Sequence, residues 1–278
     1  MTTALLFGAG GQVGAELLAR HPFDAPSRAE VDLADPQAVA TAILARQPSV
    51  VVNAAAYTAV DRAEAEPDLA MAVNRDASAA MAEACARLGI PLVHLSTDYV
   101  FDGSKNGPYT EAEAPAPLSV YGASKLAGEE AIRTRLDTHV ILRTAWVFSP
   151  RRENFVRTML RLADREELRV VDDQLGGPTP AAAVADAVMA VLASTSPTWG
   201  IFHFCGAPAV SRFEFARAIF AALGRGPRLV AIGSDAYPLP ARRPANSMLD
   251  GSRFAAAYGM PAPDWRAALP SIITGDPT

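Results

Sequence analysis

A tyrosine and a lysine four residues apart have the types and spacing most suited to proton transfer in this chain. They are Tyr121 and Lys125, in the run Tyr-Gly-Ala-Ser-Lys. On a helix, residues at this spacing lie on one face, a turn apart. An ammonium about 5 Å from a phenol favours the phenolate by roughly 3 kcal/mol at an effective dielectric near 20. We therefore expect Lys125 to lower the pKa of Tyr121 by about two units, enough for acid–base chemistry near neutral pH.

Lysine is otherwise almost absent from the chain. Lys105 and Lys125 are its two lysines, and arginine carries nearly all the remaining positive charge. The retained lysine beside Tyr121 is therefore notable, although the same spacing is also common on solvated helix faces. The interpretation depends on the elements that precede this pair.

Composition is typical of a globular enzyme. The 278 residues suffice for one large or two modest domains, with 50% apolar and 20% charged residues. A net charge of −5 and a pI near 5.4 argue against nucleic acid or an anionic membrane as the main partner. Cys85 and Cys205 are unpatterned, which indicates buried free thiols in a reducing compartment.

Targeting signals are not evident in the sequence. The first residues lack the basic region of a signal peptide, and the longest apolar run, Ala181 to Ala193, is too short to cross a bilayer. We expect a cytoplasmic protein that does not contact a membrane.

Short apolar runs alternate with amphipathic stretches through the first half of the chain. This pattern predicts βαβ units and an α/β fold, with a Rossmann-type, doubly wound parallel sheet. The predicted strands are Ala4–Phe7, Val50–Asn53, Leu92–Leu95 and Val140–Leu142, followed later by Leu168–Val171 and Ile201–Phe204. The predicted helices are 13–19, Pro36–Arg46, 68–88, 155–163, Ala181–Ala193 and one from Phe213 onward.

The regular alternation of short apolar runs and amphipathic stretches changes after about Trp146, which predicts a second lobe. We expect a dinucleotide-binding domain over residues 1–147, to which 178–206 return. Residues 148–177 and 207–278 would form a smaller, discontinuous substrate-binding lobe.

A glycine cluster follows the first predicted strand directly. Gly8, Gly11 and Gly14 fit the spacing G-x-x-G-x-x-G, whereas Val13 breaks the alternative G-x-G-x-x-G. Glycines at these places allow a tight turn and close backbone approach, and the helix that follows points its N-terminus at a diphosphate. Between a buried strand and a helix, the cluster predicts dinucleotide binding.

The choice between NAD and NADP depends on residues about twenty positions further along. Arg28 stands where an acidic residue would bind the ribose 2′-hydroxyl, so it favours the 2′-phosphate of NADPH. An ordinary surface arginine is about as plausible, and Asp24 lies close enough to leave NADH open. Asp32 and Leu33 follow and would flank the adenine.

Polar and small residues follow two further strands. Asn53-Ala-Ala-Ala-Tyr57 leaves room for a ligand against the backbone, although simple close packing would also select alanine. Thr97 emerges at the carboxyl edge of its strand, on the side of the glycine loop. It could hydrogen-bond a substrate carbonyl oxygen while Tyr121 supplies the proton, although a threonine there is more often a turn former.

Together these segments resemble the extended short-chain dehydrogenase/reductases, and within them the dTDP-4-dehydrorhamnose reductase family. The resemblance covers roughly residues 4 to 254, and its value is in the order of the motifs. These are the glycine loop, Ala54–Asp61, Ser96–Phe101, Tyr121–Lys125, Arg143–Trp146, Asp173–Thr179 and Arg243–Ser247.

The resemblance implies NADPH-dependent reduction of the C4 ketone of dTDP-4-dehydro-6-deoxy-L-mannose to dTDP-L-rhamnose. Thr97, Tyr121 and Lys125 would be catalytic, with Lys125 also binding the nicotinamide ribose. The implied cofactor contacts are Gly11, Gln12, Val13, Asp32, Leu33, Ala55, Ala56 and Tyr57. The implied dTDP-sugar contacts are Thr97, Asp98, Tyr99, Trp146, Arg243 and Asn246.

Metal use and assembly stay open. The short stretch after Arg253 means that a metal-bridged dimer cannot be assumed, so we expect a monomer or a homodimer. Glu16 matches one carboxylate of such a site, but its partners cannot be identified. We therefore predict no metal ligands and leave a requirement for Mg²⁺ open.

Two rival functions remain. An epimerase or dehydratase on the same fold would retain its cofactor and consume no NADPH. Dehydratases carry Thr-Asp-Glu, whereas Tyr99 follows Thr97-Asp98 here, which favours reduction. A related branch acts as a non-catalytic regulatory subunit of methionine adenosyltransferase, and the intact Thr97, Tyr121 and Lys125 argue against that reading.

Overall fold

Five parallel strands form the central sheet of the structure, a computed structural model that describes residues 4–275. The strands of the described chain are β1 (Ala4–Phe7), β2 (Val50–Asn53), β3 (Leu92–Thr97), β4 (His139–Thr144), β5 (Val147–Phe148), β6 (Glu167–Val171), β7 (Leu175–Gly176), β8 (Thr179–Pro180), β9 (Gly200–His203), β10 (Val210–Ser211) and β11 (Arg228–Ile232). The sheet order is β1-β2-β3-β4-β9. The predicted α/β fold with a parallel sheet is confirmed.

Helices cover both faces of this sheet. They are α1 (Gln12–Arg20), α2 (Pro36–Arg46), α3 (Val60–Ala63), α4 (Pro67–Met71), α5 (Ala77–Leu88), α6 (Val120–Arg133), α7 (Phe155–Arg161), α8 (Ala181–Ala193), α9 (Arg212–Leu223), α10 (Ser252–Tyr258) and α11 (Trp265–Thr274). One buried cluster joins Leu6 of β1 to Leu17 of α1 and Val188 of α8. The opposite face joins Leu5 to Ile43 of α2 and Met81 of α5. Because both faces are buried, β1 is apolar throughout and β2 is apolar up to its last residue, Asn53.

The predicted helix over 68–88 is interrupted. A π-helical turn, Ala72–Asp76, separates α4 from α5, and Gly89 ends α5 with a positive φ of 66°. Asn74 lies within this turn and is 1% exposed. Asn74 exchanges hydrogen bonds with the backbone of Tyr57 at 2.8 and 3.1 Å and donates to Ser124 Oγ at 2.9 Å. The turn therefore ties the loop after β2 to α6.

Helix α6 is fixed at its start and by close contact with the chain after β3. The Ser119 hydroxyl accepts from the Gly122 amide at 3.1 Å, which caps the helix N-terminus. A Cβ at Gly122 would lie 2.2 Å from the carbonyl oxygen of Tyr99, so only glycine permits this approach. Tyr121, the preceding residue, is thereby held beside the end of β3.

The later part of the chain both rejoins the sheet and leaves it. Strand β9 pairs with β4, whereas β6 pairs with β11 in a separate two-stranded sheet. A third buried cluster, around Phe215 and Trp265, lies under these outer elements. The division into two lobes at the predicted boundaries stays a prediction.

Candidate active site

The glycine loop turns sharply at the end of β1. Gly8 has a φ of 91°, and a Cβ at Gly14 would lie 2.1 Å from the Gly8 carbonyl oxygen. Gly11 is the N-cap of α1 and supplies no side-chain cap, so the first amides of the helix have no side-chain acceptor. Free amides at a helix start, approached through side-chain-free backbone, fit the diphosphate of a dinucleotide.

The side chains within the loop point elsewhere. Val13 is 7% exposed and packs in the core. Gln12 Oε1 accepts from Ser149 Oγ at 2.8 Å and from Asn154 Nδ2 at 2.9 Å, and its Nε2 donates to the Val147 carbonyl at 3.3 Å. Any contact of Gln12 or Val13 with a dinucleotide in this state would therefore come mainly through the backbone.

The segment expected to meet the adenine lies along the free edge of β1. Asp24 bridges to Leu5 there, and Arg46 contacts Asp24 at 3.1 Å. The Arg28 side chain is 82% exposed, with Asp32 Oδ1 3.9 Å from its Nε. Leu33 packs against the core beside α2. The Arg28 guanidinium is thus accessible, with a carboxylate at long range.

The backbone of the loop after β2 packs closely against the backbone of the glycine loop. A Cβ at Gly8 would be 2.5 Å from the amide nitrogen of Ala55. Ala55 and Ala56 are partly buried, and the Tyr57 hydroxyl donates to Glu66 at 2.6 Å. The predicted cofactor residues of both loops therefore share one edge of the sheet.

Thr97, Asp98, Tyr99 and Tyr121 come together at the carboxyl end of β3. Thr97 and Asp98 are 5% and 2% exposed, and the threonine hydroxyl donates to Asp98 Oδ1 at 3.0 Å. The Tyr99 and Tyr121 rings meet edge to face, with centroids 5.9 Å apart. Thr97 lies close enough to Tyr121 to lower the pKa of its phenol. The structure thus brings the predicted threonine and tyrosine together.

The expected effect of Lys125 on Tyr121 is wrong for this structure. Burial raises the pKa of Tyr121 above its ordinary value, Asp98 and Tyr99 add to the rise, and the nearby Thr97 side chain opposes it. Lys125 shares helix α6 with Tyr121, as predicted, but its side-chain nitrogen is bonded elsewhere. It donates to the Leu95 carbonyl at 2.7 Å and lies 3.1 Å from His94 Nε2. Tyr121 is consequently a protonated phenol.

Two buried oxygens at this edge have no hydrogen-bond partner among residues 4–275. They are Asp98 Oδ2 and Thr144 Oγ1. Thr97 and Thr144 are paired in register at the ends of β3 and β4, so both oxygens lie at the same strand ends. Unsatisfied buried oxygens are costly and rare in native proteins, which makes this edge suited to a polar ligand. Burial raises the pKa of Asp98 to about 6, although nearby Ser247, Thr97 and Arg212 each act to lower it.

Trp146 and the partly buried Arg212 lie against these residues. The Arg212 guanidinium lies 3.4 Å from the centre of the Trp146 ring, and it is close enough to Tyr99 to lower the pKa of that phenol. Trp146 has a positive φ of 46° and packs closely on Gly176. Sequence analysis missed Arg212. The Ser211–Glu214 capping box marks the start of α9, but it does not tell where the next side chain points.

Arg243 and Asn246 differ in how far they reach the cluster. Arg243 lies close enough to Tyr99 to affect its titration, and it forms two bonds with Asp61 at 2.9 and 2.7 Å. The Asn246 amide instead donates to the carbonyls of Lys105 and Gly107, each at 2.7 Å, and its oxygen accepts from Met248. Asn246 thus has a structural role here, and its contact with substrate stays a prediction.

Metal ligands and surface cavities do not add to this site. Glu16 pairs with Arg20 at 2.8 Å, and within the described residues no group of three or more His, Cys, Asp or Glu could hold a metal ion. Cavities of about 470 and 310 Å³ occur elsewhere, and neither is lined by a predicted site residue. Cys85 and Cys205 are buried free thiols, as expected.

Known proteins resemble the chain over almost its full length. The model of the RmlD substrate binding domain family matches residues 1–276. A dTDP-4-dehydrorhamnose reductase from Sinorhizobium fredii is 44% identical over 280 residues, which cover 96% of this chain and 95% of the relative. One from Burkholderia thailandensis is 45% identical over 285 residues, covering 95% and 96%. The chain belongs to the dTDP-4-dehydrorhamnose reductase family.

Solved structures agree with this family. A dTDP-4-dehydrorhamnose reductase from Bacillus anthracis, in complex with NADP, superposes with a TM-score of 0.93 at 30% identity and covers 99% of both chains. A UDP-glucose 4-epimerase from Thermus thermophilus, complexed with NAD, has a TM-score of 0.82 at 22% identity, which indicates the shared fold alone. The resemblance to the reductase family and the prediction of an enzyme are confirmed. No helix within residues 4–275 is long and apolar enough to cross a membrane.

Proposed function

We propose that this chain reduces the C4 ketone of dTDP-4-dehydro-6-deoxy-L-mannose to dTDP-L-rhamnose, with NADPH as reductant. The observation that carries the proposal is that Thr97 and Tyr121 lie together, beside Tyr99, at the sheet edge that also holds the glycine loop. Relatives 44% and 45% identical bear the name of this reductase, which supports the choice of substrate.

The raised pKa of Tyr121 suits a proton donor. When bound, a reduced nicotinamide supplies the hydride for the ketone. The Thr97 hydroxyl would donate a hydrogen bond to the ketone oxygen and stabilise the negative charge that develops there. Tyr121, protonated at neutral pH, would then give its proton to the alkoxide, which is far more basic than a phenolate.

The substrate would be held by the aromatic and basic side chains around this pair. We assign Trp146 and Tyr99 to the sugar nucleotide, and add Arg212 as a fixed positive charge. Arg243 would bind a diphosphate oxygen by exchanging part of its bond with Asp61. Asp98 Oδ2 and Thr144 Oγ1, which lack partners within the described chain, would find acceptors or donors on the ligand.

Consumption of NADPH tests the reaction directly. Absorbance of the reduced nicotinamide would be followed with enzymatically generated dTDP-4-dehydro-6-deoxy-L-mannose. Tyr121→Phe should lower kcat at least about 100-fold, the typical contribution of a positioned acid. Tyr258→Phe is the matched control, because that hydroxyl bonds the Thr198 carbonyl outside the site. If Tyr121→Phe turns over like wild type, the mechanism is refuted.

The preference for NADPH rests on Arg28. Its exposed guanidinium could pair with a 2′-phosphate at little cost, since its nearest carboxylate is 3.9 Å away. Arg28→Ala should raise KM for NADPH severalfold and leave KM for NADH nearly unchanged. Arg151→Ala serves as the control at another exposed arginine. Equal effects of Arg28→Ala on both cofactors would contradict the assignment.

The rival functions give different results in the same assay. An epimerase would convert substrate without net NADPH oxidation. A regulatory subunit would show no turnover and would instead purify with an adenosyltransferase. The tyrosine at position 99, where dehydratases carry a glutamate, supports reduction over elimination.

We also propose that residues 1–147 and 178–206 bind the dinucleotide, and that 148–177 and 207–278 bind the sugar nucleotide. The return of β9 to the central sheet supports the first group. Limited proteolysis with and without each ligand would test the boundaries, since protection confined to the wrong segments would contradict them. The free thiols favour a cytoplasmic location, which cell fractionation would check.

A further inference from the structure

Three buried side chains form a hydrogen-bonded row beneath the candidate site. Asn53 ends β2, His94 lies in β3, and Lys125 projects from α6. Asn53 Nδ2 lies 3.0 Å from His94 Nδ1, and His94 Nε2 lies 3.1 Å from Lys125 Nζ. Their exposed fractions are 1%, 0% and 2%, so water cannot substitute for a missing partner.

The orientation of the Asn53 amide is fixed by a backbone group. Asn53 Oδ1 accepts from the Ala55 amide at 3.1 Å. If the side-chain amide were flipped, its NH₂ group would face the N–H of Ala55, two donors without an acceptor. The NH₂ group of Asn53 therefore faces His94 Nδ1 and donates to it.

This orientation determines the tautomer of His94. Nδ1 accepts a hydrogen bond from Asn53, so it carries no proton. A neutral imidazole then has its proton on Nε2, which faces Lys125 Nζ. An imidazole Nε2–H needs an acceptor, and an ammonium has none.

Lys125 satisfies the row only as an amine. The lone pair of a neutral Nζ can accept from His94 Nε2, while one of its hydrogens goes to the Leu95 carbonyl at 2.7 Å. A charged Lys125 would place two donors 3.1 Å apart, or would have to move.

We propose that His94 is a positioning residue which, in the tautomer set by Asn53, holds Lys125 as an uncharged amine until Lys125 breaks its bond with His94. Lys125 thus takes up a proton only in leaving His94, which couples its charge to its position. The inference rests on the proposed function only in that the same reaction would use Lys125 as the catalytic lysine implied by the family resemblance.

The charged groups around the row are few. Burial lowers the pKa of Lys125 to about 8, and the Glu129 carboxylate on the same helix opposes this. Burial also lowers the pKa of His94, and a positive charge on Lys125 or His139 would act in the same direction. The neutral imidazole required by the hydrogen bonds is therefore also the form that burial favours.

Nuclear magnetic resonance of ¹⁵N-histidine tests the tautomer without any need for turnover. His94 should have a bare Nδ1 and a protonated Nε2 in the ligand-free protein. His139 and His203 provide internal controls, because their Nδ1 atoms face the carbonyls of Leu136 and Tyr109 and should carry the proton. A proton on Nδ1 of His94 would overturn the proposal, whether or not the chain is an active reductase.

The two lysines of the chain make the charge of Lys125 measurable. In ¹⁵N-lysine-labelled protein, Lys105→Arg identifies the Lys125 signal. His94→Gln offers a carbonyl that can accept from an ammonium, so Lys125 should bind its proton at least about tenfold more tightly, a rise of one pH unit. His139→Gln should leave the Lys125 titration unchanged. If the Lys125 titration in His94→Gln coincides with that in wild type, the proposal is refuted. If His94→Gln fails to fold, the tautomer of His94 in the wild-type protein still tests the proposal.

A pH profile links this row to catalysis. If catalysis requires a charged Lys125, kcat/KM falls at alkaline pH as Lys125 loses its proton. In His94→Gln this fall should move to higher pH by the same interval as the Lys125 titration. A lower rate with this fall unmoved would indicate a merely structural role for His94 and would contradict the coupling. Failure of the proposed function would appear differently, as absent turnover in wild type with the tautomers unchanged.

Discussion

The ion pair between Glu129 and Arg143 joins α6 to β4 inside the protein. Their side chains are 0% and 2% exposed, and Arg143 Nη2 and Nε donate to the carboxylate at 2.6 and 2.9 Å. Ser96 Oγ adds a third bond to Glu129 at 2.5 Å. Arg143→Met removes the positive charge but keeps much of the side-chain volume. Of the three bonds just described, the buried Glu129 carboxylate would then keep only the one from Ser96.

The loss should be large because an unpaired buried charge is uncompensated. Breaking such a pair costs about 3–5 kcal/mol, whereas an exposed pair contributes at most about 1 kcal/mol. Replacing both residues, in Glu129→Leu with Arg143→Met, should recover most of the loss, since both desolvated charges are then removed.

Urea unfolding, followed by circular dichroism and fluorescence, measures these changes in the free energy of unfolding. Arg161→Met is the matched control, because Arg161 and its partner Glu153 are 57% and 73% exposed. If Arg143→Met lowers the free energy of unfolding no more than this control does, the burial argument is wrong.

Two further predictions concern the loop and the site. Gly14→Ala should abolish dinucleotide binding measured by fluorescence titration, because its Cβ would lie 2.1 Å from the Gly8 carbonyl oxygen. The control Gly10→Ala should bind the dinucleotide nearly normally, because its Cβ would meet only the end of the Arg152 side chain at 3.2 Å. Equal binding by both variants would contradict this prediction. The pKa of Asp98 rises on folding from 3.8 to about 6, so its contribution favours the folded state below pH 4 and is lost as the pH rises through 6. Relative to Asp98→Asn, wild type should therefore lose roughly 2 kcal/mol of stability between pH 4 and pH 7. Parallel pH curves would refute the shift.

Local sequence patterns predicted much of the fold. The strands Ala4–Phe7 and Val50–Asn53 and the helices Pro36–Arg46 and Ala181–Ala193 have the expected bounds, because compact apolar runs and helix-start residues determine them locally. The π turn between α4 and α5 was missed. Nothing in the local sequence distinguishes it from a continuous helix, and the contact that Asn74 makes from this turn is with Tyr57, 17 residues earlier in the chain.

The site was predicted in its parts but not in its electrostatics. The spacing of Tyr121 and Lys125 correctly placed them on one helix, yet spacing tells nothing of what else faces the lysine. His94 lies in a buried strand and reads as a core residue, although its ring is the group that Lys125 contacts. Arg212 likewise reaches Trp146 from a helix more than sixty residues away in sequence.

The π turn also bears on how the chain can change in length. A π turn holds one residue more than an α-helical turn, so deleting one residue from Ala72–Asp76 would restore a regular α-helix. The phase of α4 relative to α5 would then change by far less than the roughly 100° that a deletion within a regular α-helix produces. Such a deletion would remove the wide turn that presents Asn74 to Tyr57 and Ser124. A single-codon deletion here should therefore spare both helices and release the loop that follows β2.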